Sequence, residues 1–420
     1  MRPEDVDAIK AQLKEVQKMF AQGVGVAWPW MVSKVEMVGR ELEVHVDLDR
    51  SVTALPCPKC EAVSPIYDRT ATRRWRTLDY YMFKSFLVGR PARVRCVEHG
   101  VRRADVPWAQ AGSHFNYHFQ ALVMSKAQNT PMAVVARELR EHDTRLWRIV
   151  THHVKDGLGR LDLSAVRRIG VDDKSYQVGH KYLTVVADLD TARVIFVTEG
   201  RDGETLGRFR QFLIEHGGDP KAITQISQDM SQAYASGAKQ YFPDATVVFD
   251  HFHVIKLMGE TVDKVRREEQ REQDILRGTR YIWLKNAKNL TDKQLQSLTD
   301  LSRLNLRTVR AFKARLDLQD IYLEIDAAVA DKRLRRWYYR ATHSRLEPLK
   351  NFAYTVADHW AGILAFFESR TTNGLLEGLN SLIQATKAKA RGYRTINALK
   401  SIVYLIGSSL LFNLPTLYSE

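Results

Sequence analysis

Apolar residues near the start of the chain fall at helical spacing. Val6, Ile9, Leu13, Val16 and Phe20 share one face and predict a short helix with a packing stripe. From Val35 to Asp47 the period shortens to two, predicting a strand pair turned at Gly39-Arg40. Over residues 114–158 helical spacing returns, with Val134, Val135, Leu139, Leu146, Ile149 and Val150 as the apolar positions. One helix should end at Glu138 to Arg140, His142-Asp143-Thr144 should turn, and a further helix should start near Thr144. Two short helices around a tight turn suit a helix-turn-helix. Beyond Arg167 the pattern becomes strand-rich: Ile169 to Asp173, Tyr182 to Asp188 and Arg193 to Thr198, with Leu189-Asp190-Thr191 as a turn. Helix and strand then alternate: Glu204 to His216, Ala222 to Ser227, Gln232 to Tyr241 and Thr246 to Phe249.

Composition narrows the class. At 420 residues two to four domains are expected, and 45% hydrophobic with 10% aromatic residues indicates a folded chain. A net charge of +14 and a pI near 9.6 favour a polyanionic partner, of which nucleic acid is the commonest. Three cysteines are too few for a disulfide framework. Met1 to Lys18 is charged throughout, unlike a signal peptide, and the apolar run Ile402 to Leu417 is broken by Gly407, Ser408, Ser409, Asn413 and Pro415. A reducing-compartment, cytoplasmic protein without a membrane partner is the expectation.

Cys57-Pro-Lys-Cys60 and Cys96-Val-Glu-His99 repeat one spacing. Each knuckle sets two ligands on a tight turn, and two knuckles complete a tetrahedron for Zn²⁺. Four protein ligands close the site, so this zinc should be structural. The plainer alternative is three unrelated buried cysteines and a surface histidine. Between the knuckles, in the stretch from Arg73 to Arg95, the cations Arg73, Arg74, Arg76, Lys84, Arg90, Arg93 and Arg95 face one acid, Asp79, and Trp75, Tyr80, Tyr81 and Phe83 are interleaved. A zinc ribbon could lay such strands along a phosphate backbone, with Arg73, Arg74 and Arg76 as DNA contacts. A solvated strand face is the simpler account of any single arginine. In the helix-turn-helix, the second helix should carry Arg145, Arg148, His152 and His153 toward a groove.

The acids bring chemistry. Asp172 and Asp173 end the first strand of the strand-rich region, and Asp229 follows the fourth. Three strands as a meander, then helix and strand in alternation, is the order of a ribonuclease-H-like fold. In that order the fourth strand pairs beside the first, so Asp172 and Asp229 should project from one edge of the sheet. Asp173 should point to the opposite face and competes for the catalytic role. Two-metal phosphodiester chemistry needs carboxylates that hold ions about 3.5–4 Å apart, and hard divalent ions prefer oxygen ligands. A third carboxylate is available in Thr371-Thr-Asn-Gly-Leu-Leu-Glu377-Gly-Leu-Asn380. Thr372 or Asn373 can cap that helix, with Glu377 about one turn in. Asn380 and Gln384 follow on nearly the same face, then Lys387, Lys389 and Arg391 as candidate DNA contacts. A carboxylate beside a basic stripe suits a place where metal and phosphate meet. Any one of these acids taken alone is more simply a surface charge.

On these residues the chain resembles the insertion-sequence transposases of the ISL-three group, within the wider DDE class. The resemblance runs from the zinc knuckles to Arg394. It rests on Gly170-Val-Asp172-Asp173, on Gly179-His-Lys-Tyr182 with Asp188, and on Gln228-Asp229-Met-Ser231 with Tyr234. Further matches are Phe249-Asp-His-Phe-His253, Thr372-Asn373 through Glu377-Gly-Leu-Asn380, and Lys389-Ala-Arg-Gly-Tyr-Arg394. Where this chain has Asp173 the group often has Glu. The resemblance implies that Asp172, Asp229 and Glu377 form a catalytic triad binding Mg²⁺, with Mn²⁺ as a substitute. Asp250 and His253 look like a D-x-x-H element, which either supports the active site, contacts DNA, or is a buried hydrogen-bonded pair. An all-helical insertion is implied between the second and third acids, and residues 256–368 fit it, with Pro348 their only proline. The aromatics within it, Trp283, Trp337, Tyr338, Tyr339 and Trp360, are more commonly helix core than stacking platforms for bases.

The expected architecture is multidomain α/β. It comprises an N-terminal helix and strand pair (1–50), a zinc ribbon (51–112) and a helix-turn-helix (113–160). A ribonuclease-H-like core (165–255) follows, interrupted by the helical insertion (256–368) and completed by 369–420. By the resemblance the protein would bind terminal inverted repeats and target DNA, cleave and transfer strands, and act as a homo-oligomer. A DNA-binding regulator without chemistry and a nuclease that cuts without joining are the competing readings.

Overall fold

The Val-, Ile- and Leu-rich runs form three sheets, and the helical-period segments form fifteen helices among the described residues. The computed structural model describes residues 3–177, 179, 181–370 and 374–416. The expected caps Thr372 and Asn373, together with His180 and Leu417, lie outside them, as do the side chains of Val6, Ile9 and Leu13. The chain divides into two units, residues 1–156 with 389–391 and 411–420, and residues 157–388 with 392–410. No helix among the described residues is long and apolar enough to cross a membrane.

The first unit begins with α1 (Pro3–Gly23), β1 (Trp30–Val38) and β2 (Glu41–Leu48). Gly39, at φ 62°, makes the hairpin turn, where a left-handed backbone favours glycine. Next come β3 (Ala54–Pro56), β4 (Val63–Arg69), β5 (Arg73–Tyr80), β6 (Phe83–Gly89), β7 (Ala92–Cys96) and β8 (Gly100–Arg103). The strands sort into two sheets, β1-β2-β6-β5 and β3-β4-β7-β8. Here the expectation of one ribbon over 51–112 is corrected. The basic hairpin β5–β6 leaves the ribbon, and β6 pairs in parallel with β2 from Glu41↔Lys84 to Val46↔Gly89. Alternation in sequence tells which face of a strand is buried, not which strand lies beside it. The core that recruits the hairpin centres on Trp108, with Trp30 and Trp75 packed edge-on to it at 5.1 and 5.4 Å. Along α1, Val16 is exposed, whereas Phe20 lies 5.8 Å from Tyr80. Three helices follow: α2 (Tyr117–Asn129), α3 (Met132–Glu138) and α4 (Asp143–Gly159).

The second unit contains β9 (Arg168–Gln177), β10 (Lys181–Asp188), β11 (Arg193–Glu199), α5 (Glu204–Glu215), β12 (Gln225–Gln228), α6 (Gln232–Tyr241) and β13 (Thr246–Phe249). The strand expected from Ala222 begins later, because Asp219 caps a single helical turn at Pro220–Ala222. The sheet order is β11-β10-β9-β12-β13, antiparallel on one side of β9 and parallel on the other. Ile169 and Val171 of β9 join Phe209, Tyr234 and Phe242 in the core under α5 and α6. Gly170 faces the other way, toward Leu376.

Helices α7 (His251–Glu269), α8 (Arg280–Leu284), α9 (Asp292–Ser302), α10 (Arg307–Tyr322), α11 (Ala327–Thr342), α12 (Glu347–Asp358) and α13 (Trp360–Ser369) pack into one cluster that includes Val248 and Phe249 of β13. Trp283 and Trp337 are fully buried in it, and Trp360 donates to Asp331 at 2.9 Å. Gly362 packs so closely on Phe249 that a Cβ would lie 2.5 Å from the ring. Helix α14 (Gly374–Lys389) and α15 (Ile396–Gly407) return to the five-stranded sheet. On edge strand β11 the Val197 N–H donates to the Tyr404 hydroxyl at 2.8 Å.

Candidate active site

Register places the first two acids. β12 pairs with β9 through Gln225↔Arg168, Ile226↔Ile169 and Ser227↔Gly170. Counting on along both strands puts Asp229 level with Asp172. The same count from Gln228↔Phe249 puts Asp250 level with Asp229. Three neighbouring parallel strands therefore deliver a carboxylate at one level of the sheet.

Asp172 is buried, and its Oδ2 accepts a hydrogen bond from Asn380 Nδ2. Lys174 Nζ lies 3.2 Å from the same oxygen. Asp229 is half-buried, and its Oδ1 accepts from the Ser231 N–H at 3.0 Å, just ahead of α6. Burial pushes the Asp229 carboxyl up from the usual range, and the nearby Asp172 charge adds to this. Asp173 lies on the opposite face of β9 from Gly170 and Asp172. Burial, then the charges of Asp229 and Asp172, push its carboxyl up to about 6. Arg201 opposes that shift at both Asp173 and Asp229. Like charges gathered in one partly dry place raise each other's proton affinity, and a cation relieves them.

Asp250 is fully buried and caps α7, accepting from the Phe252 N–H. Its other oxygen lies 3.0 Å from His253 Nδ1. That hydrogen bond, with the charges of Asp250, Asp172 and Asp229, holds the His253 imidazole above its ordinary value. The pair is thus hydrogen-bonded and also within electrostatic reach of the acids.

Glu377 is exposed in the first turn of α14. Asn380, one turn further along, is the residue that reaches Asp172. Among the described residues, Asp172, Asp229 and Glu377 do not bring their oxygens within 4.8 Å of one another as a set. Lys387 donates to the Ser175 carbonyl at 3.2 Å and borders a cavity of about 460 Å³ with Lys181, Tyr393 and Arg394. Lys389 and Arg391 are exposed.

The knuckles converge. Cys57, Cys60, Cys96 and His99 present ligand atoms that all lie within 4.8 Å of one another. The Cys60–Cys96 sulfurs are 3.7 Å apart, and His99 Nδ1 lies 3.7 Å from Cys96 and 3.9 Å from Cys57. Zn–S bonds of about 2.3 Å in a tetrahedron require edges of about 3.8 Å, so the donor set fits Zn²⁺.

Two expected DNA contacts are corrected. Arg76 is 1% exposed, and its guanidinium is spent on Asp79 and the Thr77 and Ser85 carbonyls. His153 is buried and bonded to Gln120 at 2.7 Å, because adjacent helix positions turn by about 100° and only His152 stays outside. Arg148 is exposed on α4. Arg145 is half-buried, tied to Glu141 and stacked 4.6 Å from the Phe115 ring. Arg74 is paired with Glu41 and Glu43, and Arg73 lies 5.5 Å from the Trp75 ring. Lys174, Arg201 and Asn380 are the site neighbours that sequence alone did not single out as functional. Only the place of Asn380, one helical turn after Glu377, offered a signal.

The chain thus combines a five-stranded mixed sheet with acids at one level and a three-helix unit. Residues 169–403 match a family described as transposase, and residues 104–154 match the helix-turn-helix domain of transposase family ISL3. The chain belongs to the ISL3-type insertion-sequence transposases, a DNA-binding and DNA-rearranging family. Among similar proteins, the transposase for insertion sequence element IS1557 of Mycobacterium tuberculosis is 29% identical over 387 residues, spanning 85% of this chain and 86% of that protein. The transposase for insertion sequence element IS1001 of Bordetella parapertussis is 26% identical, spanning 89% of this chain and 92% of its own length.

Proposed function

We propose that the second unit is a ribonuclease-H-like catalytic core, interrupted by the helices of 256–368, in which Asp172, Asp229 and Glu377 carry metal-dependent DNA cleavage and strand transfer. The observation that carries the reading is the register of β9 and β12. It sets Asp172 and Asp229 side by side, while Asn380 ties the helix of Glu377 to Asp172. The donor set is all oxygen and suits Mg²⁺ or Mn²⁺. Asn380 Oδ1, buried and without a hydrogen-bond partner among the described residues, adds a further oxygen beside Asp172. When bound, two such ions supply charge stabilisation at the attacking and leaving oxygens of the phosphodiester.

The chain's own residues do the rest. Asn380 orients Asp172, and the Ser231 N–H fixes Asp229. Asp250 holds the His253 ring from behind, leaving it electrostatically coupled to the acids. Asp173 serves as a half-buried acid of the same cluster rather than as the triad member. The zinc knuckles hold the ribbon. Helix α4, with Arg148 exposed and Arg145 beside it, reads the terminal inverted repeats, while Arg73, Arg74, Lys387, Lys389 and Arg391 contact backbone phosphates. Two ends held together call for a homo-oligomer, and the protein works in the cytoplasm at the nucleoid.

The test is cleavage of the element's own ends by native protein, Asp229→Asn and Glu377→Gln. Both variants should bind DNA and lose cutting by at least about a hundredfold. Equal activity in all three proteins rejects the triad. Joining products from a pre-cut end separate a transposase from a nuclease.

A further inference from the structure

The helices between Asp229 and Glu377 carry a basic cleft that the chemistry above does not use. Two adjoining cavities of about 530 and 610 Å³ share Asp317 and Arg340 in their walls. Asp317 is the one acid in either wall, against Arg310, Lys313 and Arg345 in the first and Arg333, Arg335 and Arg336 in the second. Some of these cations are already spent. Arg340 pairs with Asp317 at 3.0 Å, Arg335 with Asp331 at 2.8 Å, and Arg333 with Glu324. Arg310, Lys313, Arg336 and Arg345 are exposed and make no ion pair among the described residues.

The frame beneath them is rigid. Arg310 and Lys313 sit three apart on α10, and Arg336 and Arg340 four apart on α11, so each pair shares a helix face. Trp337, buried between the helices, donates to the Ala314 carbonyl at 2.8 Å and locks α11 to α10. At the end of α11, Tyr339 is 62% exposed and stacks on His343 at 4.0 Å. Four uncompensated cations on one stiff, concave surface repel one another unless a polyanion covers them. Arginine and lysine heads are the side chains that commonly meet phosphate oxygens, and such contacts position a duplex without reading its sequence.

We propose that this cleft grips the phosphate backbone of double-stranded DNA outside the sequence that the helix-turn-helix reads. The proposal rests on the protein being a DNA transposase but not on the assignment of the triad, since its readout is binding.

The experiment titrates the full chain with a labelled duplex of unrelated sequence at several salt concentrations. It compares native protein with Arg310→Ala/Lys313→Ala/Arg345→Ala and, separately, with Arg336→Glu. Each lost phosphate contact lowers the slope of log affinity against log salt by about 0.9. The triple variant should therefore lose about 2 to 3 from the slope, with an unchanged melting temperature. Slopes equal to native in both variants overturn the proposal. So does a loss confined to a single strand of the same length, which would assign the cleft to unpaired DNA. Two further arms identify the duplex: an element end extended into flanking DNA, and unrelated duplex offered to protein already holding an end. A loss in the first assigns the cleft to the flank, a loss in the second to the target, and a loss in neither also overturns it. Arg148→Ala is the control, expected to reduce preference for the element end while leaving the unrelated-duplex slope within about one contact of native.

Discussion

Asp173 has an ordinary carboxyl in the unfolded chain, with a value of 3.8, and one pushed up to about 6 in the fold. Between those values the folded protein holds a proton that the unfolded chain has lost. Stability without divalent metal therefore falls as pH rises through that window and stays at the lower level above it. Replacing Asp173 by Asn removes this half-buried charge. The variant should melt at a higher temperature than native protein near pH 8 in the absence of Mg²⁺, and the gain should fade toward pH 4. Thermal unfolding at the two pH values checks this, and a variant no more stable than native at pH 8 contradicts it. Asn380 is the other residue whose meaning depends on its surroundings. On a helix it is an ordinary polar position, but beside Asp172 its amide selects one carboxylate orientation.

Among the elements, α14 is placed by a missing side chain. At Gly170 a Cβ would lie 2.5 Å from Leu376 Cδ1 and 2.9 Å from Leu189 Cδ2. A branched residue there cannot be absorbed by one leucine tip, so the helix carrying Glu377 and Asn380 must shift. Gly170→Val is expected to reduce end cleavage more than tenfold, because a 1 Å misplacement can cost about a hundredfold. Binding through the helix-turn-helix should be kept. A gel-shift assay beside the cleavage assay separates the two effects, and equal loss in both would mean general unfolding instead. The ribbon hairpin teaches the converse. Arg73 to Tyr80 reads as a basic strand between zinc knuckles, yet β6 carries it to β2, and Arg76 faces inward.

At the scale of the whole molecule, the zinc set and the acids belong to different units. Structural zinc binding contributes folding free energy directly, about 10–16 kcal/mol in isolated fingers. Stripping the metal, or Cys96→Ala, should therefore release backbone protection in β3, β4, β7 and β8 and leave β9, β10 and β12 protected. Hydrogen exchange by mass spectrometry reads both regions at once. Protection in these four strands that survives chelation argues against a structural metal. The net charge of +14 acts at this scale too, making DNA affinity strongly salt-dependent whichever surface binds.

Periodicity and spacing by themselves determined the helix-turn-helix helices, the order of strands from Arg168 to Phe249, and the two knuckles. Each is a local signal: one buried face per element, or two ligands on one turn. Tertiary structure alone decided that β6 pairs with β2, that Arg76 and His153 turn inward, and that Asn380 meets Asp172. It likewise decided that burial and neighbouring acids push the Asp173 carboxyl up and that four cations of the helical segment share one cleft. The physical reason is that a side chain's charge state, partners and exposure depend on residues far away in sequence. Asn380 and Asp172 lie 208 positions apart, and no local pattern encodes what comes to stand beside them.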